Sequence, residues 1–299
     1  MNVSALLRET ARRFSRARLR YGHGTHNAKE EAAWLIASVL GYLLEEEVKP
    51  KDQKKIDTLA RRRIRERIPL AYLLKEAWLG EHSFYVDPRV IVPRSFIAEL
   101  LRNRLSPWLV REPERVLDLC TGSGCLAVLL ALTFESSRVD AADLSSGALA
   151  VARRNVGLHE MTRRIRLVKS DLFSSLGNAK YDLIVSNPPY VTARSMHKLP
   201  AEYRHEPGLA LAAGKDGLDL VRRILAGARD HLRPGGLLVC EIGGNRKALE
   251  RAYPALEFAW PETSEGPGCV FILKREQLPP AARTVSSLRT RSRPARPRR

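Results

Sequence analysis

Asp118-Leu119-Cys120-Thr121-Gly122-Ser123-Gly124 is the stretch on which the fold turns. It follows Val116-Leu117, a short apolar segment that reads as a buried strand. It leads into an apolar run over 124–133 that reads as a helix. Between strand and helix, glycines permit a tight turn and let the backbone approach a bound ligand closely. Two familiar nucleotide loops are excluded. Ala127 stands where G-x-G-x-x-G needs its third glycine, and no Gly-Lys-Ser/Thr ending is present. Neither a nicotinamide dinucleotide nor ATP is the natural ligand of such a loop. Working outward, further strands are predicted at 139–142, 165–168, 181–186 and 237–242. Helices are predicted at 145–157, capped by Ser145, and at 218–232. Cys269 to Leu273 reads as a late antiparallel edge strand. This alternation predicts an α/β class, with a mostly parallel sheet covered by helices on both faces.

In such sheets ligands bind past the C-terminal ends of the strands. Three acids and one rigid corner fall there. Asp118 reads either as a ligand for a cationic group or as a turn residue. Asp143 ends the next strand, 19 residues after Gly124, where a carboxylate can accept from both hydroxyls of a ribose or cap the following helix. Asp171 follows the third strand and can accept from an adenine amino group. The corner is Asn187-Pro188-Pro189-Tyr190, just past Asp182–Ser186. Two prolines fix φ and remove two N–H donors, so their carbonyls are left to accept from a substrate. Asn187 adds a side-chain acceptor and Tyr190 an aromatic wall. A rigid set of acceptors suits a planar NH₂ group.

Upstream the pattern is helical. Val3, Leu6, Leu7, Ala11 and Phe14 recur at helical spacing, so the Arg-rich start reads as a first helix rather than a targeting segment. Asn27 and Glu30 resemble a capping box opening a second helix, which Gly41 ends. A third runs from Lys54 to Ile68 and stops at Pro69. Its Arg61-Arg62-Arg63 run reads as a solvated face, open to nucleic acid. Phe84, Val86, Val90 and Val92 alternate around Asp87-Pro88 and predict a β-hairpin there. The expected division is a helical substrate-binding domain at 1–75, a hairpin linker at 76–95, a catalytic domain at 96–278 and a basic disordered tail at 279–299.

Length and composition bound these readings. The chain has 299 residues, 44% hydrophobic and 28% charged, which fits globular domains with real cores. No apolar run is long enough to span a membrane. The four cysteines form no C-x-x-C pair and the seven histidines are scattered, so neither a disulfide scaffold nor a metal site is expected, and a reducing, cytoplasmic compartment is. The net charge is +18; residues 283–299 carry seven Arg and no acid, leaving +11 for residues 1–282. A body basic in its own right attracts polyanions such as RNA or ribosomal particles.

Taken together, the Asp118–Gly124 loop, Asp143 and Asn187–Tyr190 resemble S-adenosylmethionine-dependent methyltransferases with a Rossmann-like sheet. The N-P-P-Y form is similar to that of enzymes acting on planar nitrogens, either glutamine amides or nucleic-acid amino groups. Tyr21–Thr25, Glu66–Leu73, Phe84–Ser95, the D-L-C-T-G-S-G-C loop and Tyr203–Pro207 are similar to the protein-glutamine methyltransferases, in particular the branch acting on large-subunit ribosomal protein L-three. The related release-factor branch usually has Gly at the place of Cys120 and P-R-P-E-T at the place of Pro93–Ile97. The likeness covers roughly residues 10–278 and leaves out the arginine tail. It implies S-adenosyl-L-methionine held by Asp118, Cys120, Thr121, Gly122, Gly124, Asp143, Asp171 and Asn187. It also implies catalysis by Asn187, Pro188, Pro189 and Tyr190, and ribosomal protein L-three as the protein substrate. His205, Glu206 and His23 are further candidates for substrate contact, against structural roles as salt-bridge or capping residues. Three other readings stand beside this one: a release-factor glutamine methyltransferase, a nucleic-acid amino (adenine) methyltransferase, for which no recognition domain is visible between the strands, and a non-catalytic RNA-binding protein with a vestigial site.

Overall fold

The structure, a computed structural model, describes residues 2–41, 47–264 and 266–280. Most of the basic tail (281–299) lies outside the described residues. The N-terminal part comprises α1 (Val3–Arg16), α2 (Ala28–Leu40), α3 (Pro50–Glu66) and the short α4 (Leu70–Leu74). Asn27 caps α2 by accepting from the Lys29 and Glu30 amides, and Gly41 ends it at a positive φ of 76°. Leu6, Phe14, Leu35, Ile36, Ile56 and Ala60 close a core of their own.

The hairpin is present, but its turn lies elsewhere. β1 (Ala77–Leu79) pairs antiparallel with β2 (His82–Phe84), so the chain reverses at Gly80-Glu81 rather than at Asp87-Pro88. Asp87 instead folds back on Arg89, accepting from its amide and guanidinium. Val86, Val90 and Val92 are buried against Ala148 and Val151 of a later helix. Their alternation reflects a strap laid over a helix, because packing against one surface buries every second side chain just as pairing does.

Beyond α5 (Ile97–Arg102), the chain alternates β3 (Arg115–Leu119), α6 (Cys125–Thr133), β4 (Arg138–Asp143), α7 (Ser146–Leu158), β5 (Ile165–Lys169) and β6 (Tyr181–Ser186). There follow α8 (Ala193–Met196), α9 (Asp219–His231), β7 (Leu232–Glu241), α10 (Arg246–Ala252) and β8 (Val270–Lys274). The six-stranded sheet has the order β5-β4-β3-β6-β7-β8. All neighbours are parallel except β7 and β8. The sheet is Rossmann-like, as the alternation predicts. Successive residues of one strand feed opposite cores. Val116 and Val139 join Leu126 and Leu130 of α6 on one face, while Leu117 and Ile184 join Val221 and Ile224 of α9 on the other. Burying each of these side chains contributes roughly 1.5–3 kcal/mol.

The Arg61–Arg63 run needs a correction. Arg61 and Arg62 are exposed, but Arg63 is 1% exposed and belongs to the interior. It follows Ile56 and Ala60 on the buried stripe of α3. Its Nε lies 2.5 Å from Glu31 Oε1 in α2, and its Nη1 lies 3.4 Å from Glu202 Oε1, which comes from the segment after β6. A guanidinium carries two acids into the core only where its fork is fully engaged, and Nη2 completes the set on the Arg20 carbonyl.

Candidate active site

From β3 the chain steps outward to β4 and β5, then returns to place β6 on the other side of β3. At that switch point a cleft of about 370 Å³ opens at the C-terminal strand ends. One half is built from the loop after β3 and the end of β4, the other from the corner after β6 and the 89–95 strap.

In the loop half, Cys120, Thr121, Gly122, Asp143 and Asp171 line the cleft. Gly122 has φ 55°, and its amide donates to Asp143 Oδ2 at 2.9 Å. Asp143 Oδ1 accepts from the Ser145 amide at 2.8 Å, so the carboxylate both shapes the loop and faces the cleft. Burial raises its pKa against these amide bonds. Asp118 and Gly124 do not line the cleft. Asp118 is fully buried, because α6 covers the end of β3. It accepts from Thr121 Oγ1 at 2.5 Å, while its Oδ1 has no partner among the described residues. Burial pushes its pKa up to about 7. Gly124 starts α6 with φ 78°, where an added Cβ would sit 3.0 Å from Ala152 Cβ of α7. Its role is close packing of two helices. Burial raises the pKa of the Cys120 thiol, which disfavours its thiolate. Asp171 is half exposed and pairs with Arg223 at 2.8 Å, so its carboxylate already has a cationic partner.

In the corner half, Asn187 and Pro189 line the cleft, and Pro188 and Tyr190 do not. Asn187 Nδ2 donates to the Arg94 carbonyl at 3.1 Å. With the donor end of its planar amide so fixed, the acceptor end is turned away from that carbonyl. Tyr190, expected as a wall against the substrate, instead braces the corner from behind. Its ring packs on Gly243, where a Cβ would lie 2.7 Å from Cε2, and its hydroxyl donates to Glu241 Oε1 at 3.4 Å. The reason is steric: only a glycine at 243 leaves room for the ring on that side.

Of the candidates in the segment after β6, Glu206 is interior and His205 is partly buried. Glu206 Oε1 and Oε2 accept from Arg94 Nη1 at 2.6 Å and Nη2 at 2.7 Å, and Oε1 also accepts from the Val92 amide at 3.0 Å. His205 bonds the Glu66 carbonyl at 2.9 Å through Nε2. His23 is buried against Tyr203 with ring centroids 4.4 Å apart, and burial lowers its pKa to about 4. These residues join the helical part to the corner and do not line the cleft. Sequence reading missed Arg94, Ser95 and Arg223 on the cleft wall, and Glu241 behind it. Glu241 carries a usable signal: like Asp118 and Asp143 it is an acid near a strand's C-terminal end after an apolar run.

The comparisons with known proteins decide the family. The Methyltransferase small domain model matches residues 97–202. A ribosomal protein uL3 glutamine methyltransferase of Neisseria meningitidis serogroup B is 51% identical over 285 residues, covering 92% of this chain and 94% of the relative. The chain belongs to the uL3 glutamine methyltransferase family. The Bordetella pertussis member is 50% identical over 283 residues, 91% of this chain and 95% of that one. The Burkholderia pseudomallei member is 48% identical over 297 residues, 94% of this chain and 96% of that one. A crystal structure of a methyltransferase from Pyrococcus furiosus superposes with a TM-score of 0.47 at 20% identity, covering 64% of this chain and 88% of the other. The identity with this family spans the helical part as well as the sheet, which separates the chain from the nucleic-acid and non-catalytic readings. Among the described residues no helix is long and apolar enough to cross a membrane.

Proposed function

We propose that this chain transfers a methyl group from S-adenosyl-L-methionine to the side-chain amide nitrogen of a glutamine in ribosomal protein uL3. The observation that carries the reading is Asn187: its amide donor is tied to the Arg94 carbonyl at the sheet's switch point, leaving Oδ1 as an acceptor beside the cleft. Half-identity to uL3 glutamine methyltransferases over nearly the whole chain supports the choice of substrate.

The loop half fits this donor. Gly122 brings backbone to the cleft at a φ that a side chain disfavours. Asp143 oxygens keep lone pairs beyond those given to Gly122 and Ser145, enough to accept from ribose hydroxyls. The Thr121 and Cys120 segment would flank the methionine part, with Asp118 and Gly124 fixing the loop from beneath. Asp171 would face the adenine once its bond to Arg223 is shared or exchanged. When bound, the donor supplies an electrophilic sulfonium methyl.

The protein's residues supply position. An amide nitrogen is a weak nucleophile, because its lone pair is delocalised into the carbonyl. Asn187 Oδ1 and the Pro188 carbonyl would accept the two amide protons of the substrate, aim the nitrogen at the methyl and offset charge developing on the NH₂ group. Pro189 has no N–H to compete, and Tyr190 holds the corner rigid through Gly243 and Glu241. The released proton passes to water. Leu144 and Leu209, exposed at the cleft, offer apolar contact to the incoming chain.

Residues 1–75 are proposed to grip uL3. Exposed Arg12, Arg16 and Arg18 near α1, and Arg61, Arg62 and Arg65 on α3, lie on two helices joined by the Arg13–Asp57 pair at 2.8 Å. That face, with the basic tail, is proposed to contact ribosomal RNA, in the cytoplasm where such particles assemble. The test supplies label-bearing S-adenosyl-L-methionine to the chain with uL3, release factor and DNA in parallel. Label on a glutamine of uL3 is expected; label only on DNA, or only on release factor, overturns the reading. For the RNA contact, neutralising the six arginines should flatten the salt dependence of particle binding, and an unchanged slope rejects it.

A further inference from the structure

Asn187 serves as an acceptor in only one of its two amide orientations. Turned by half a rotation, its NH₂ would oppose the NH₂ of the substrate, donor against donor. The contact that selects the orientation is the bond from Nδ2 to the Arg94 carbonyl at 3.1 Å. That carbonyl belongs to the 89–96 strap, which has no strand partner. A carbonyl on an unpaired strap is only as well placed as the groups that pin the strap.

Two buried carboxylates do so, one on each side of Arg94. On the N-terminal side, Glu206 accepts from the Val92 amide at 3.0 Å and takes both ends of the Arg94 guanidinium at 2.6 and 2.7 Å. On the C-terminal side, Glu241 Oε2 accepts from Ser95 Oγ at 2.6 Å and from the Phe96 amide at 3.0 Å. Its Oε1 accepts from Tyr190, the last residue of the corner itself. The two acids come from opposite parts of the fold: Glu206 from the segment tied to the helical part, Glu241 from the end of β7. Neither lines the cleft.

We infer that Glu206 and Glu241 are positioning residues for methyl transfer, clamping the strap so that the Arg94 carbonyl holds Asn187 with its acceptor toward the substrate. The inference rests on the proposed reading that Asn187 accepts from the substrate amide. It differs from a role in stability alone, because the loss it predicts appears in turnover and depends on Asn187.

The experiment compares Glu206→Gln, Glu241→Ala and Glu241→Gln with the unaltered chain, each also in an Asn187→Ala background. In Glu206→Gln an NH₂ replaces one acceptor and meets the donors of Arg94 or Val92. Turnover is expected to fall roughly tenfold or more, since small misplacements of reacting groups are costly. The KM for uL3 and the affinity for S-adenosylhomocysteine are expected to stay within about twofold. Glu241→Ala should behave alike. Glu241→Gln should recover most of that loss, because its oxygen can keep Ser95 and Phe96 while its NH₂ donates to the Tyr190 oxygen. In the Asn187→Ala background Glu206→Gln should cost little more. The clamp is overturned if folded Glu206→Gln keeps full turnover, if its loss is undiminished without Asn187, or if the loss appears as weakened S-adenosylhomocysteine binding. Should Glu206→Gln fail to fold, the Glu241 pair decides: equal activity of Glu241→Ala and Glu241→Gln rejects the clamp. Full turnover by Asn187→Ala alone instead overturns the amide reading beneath it.

Discussion

The two halves of the cleft are built in different ways. The loop half comes from one β-α-β unit, and its shape follows from local backbone: a glycine at positive φ, an amide bonded to Asp143, a helix starting at Gly124. The corner half is assembled from residues far apart in the chain. Asn187 is local to β6, but it is oriented by Arg94, which is held by Glu206, in a segment tied through Glu202 to Arg63 of the helical part. A site whose geometry is written in neighbouring residues should respond to substitution locally. A site held by a chain of buried polar contacts should respond to changes at a distance.

Four measurements test that contrast. Arg63→Leu has the largest expected effect. It leaves Glu31 buried without its cation and Glu202 with Arg67 alone, which should cost about 3–5 kcal/mol in denaturant unfolding. A cost below about 1 kcal/mol would mean that the link between the helical part and the corner is not under load. Asp143→Ala tests the other half. It should weaken S-adenosyl-L-methionine binding roughly tenfold to a hundredfold while turnover at saturation changes little, as fits loss of charged hydrogen bonds made equally in ground and transition states. Titration calorimetry reads the first quantity, and an undisturbed affinity would remove Asp143 from the donor site.

His23 gives a pH signature confined to the junction. Its pKa is lowered by burial from 6.5 to about 4. The unfolded chain takes up the proton first, so stability is lost as pH falls from about 6.5 toward 4 and levels off below that window. Between pH 7 and about 4.5 the unaltered chain should lose about 2–3 kcal/mol more than His23→Gln. Equal losses would place the histidine in water. Gly124→Ala is expected to be mildest, at about 1–2 kcal/mol, from the strained φ and the approach to Ala152. A rise in melting temperature would show that α6 and α7 have room to spare.

The same contrast explains what could be read without coordinates. The strands of the sheet, the antiparallel edge and the loop after β3 were legible because period, glycines and strand-end acids are local signals. Asn187 and Pro189 were legible for the same reason. Tyr190 was placed in the right motif but on the wrong side, since the space that takes its ring exists only because residue 243 is a glycine. In sequence the strap reads as a hairpin arm because its valines alternate, but alternation records burial rather than pairing. The charge of Arg63 points to solvent, although Ile56, Ala60 and Arg63 fall on one helical stripe. The pairing of Glu206 with Arg94 has no sequence signature, because ion pairs across such a separation depend on the finished fold.

On this reading Asn187 pins a carboxamide for methylation, and single-turnover kinetics of its alanine variant report on that role. Single-turnover methyl transfer to uL3 by Asn187→Ala, loaded with saturating S-adenosyl-L-methionine, should be slower by on the order of a hundredfold or more, with affinity for the donor unchanged. Transfer near the rate of the unaltered chain would contradict the account.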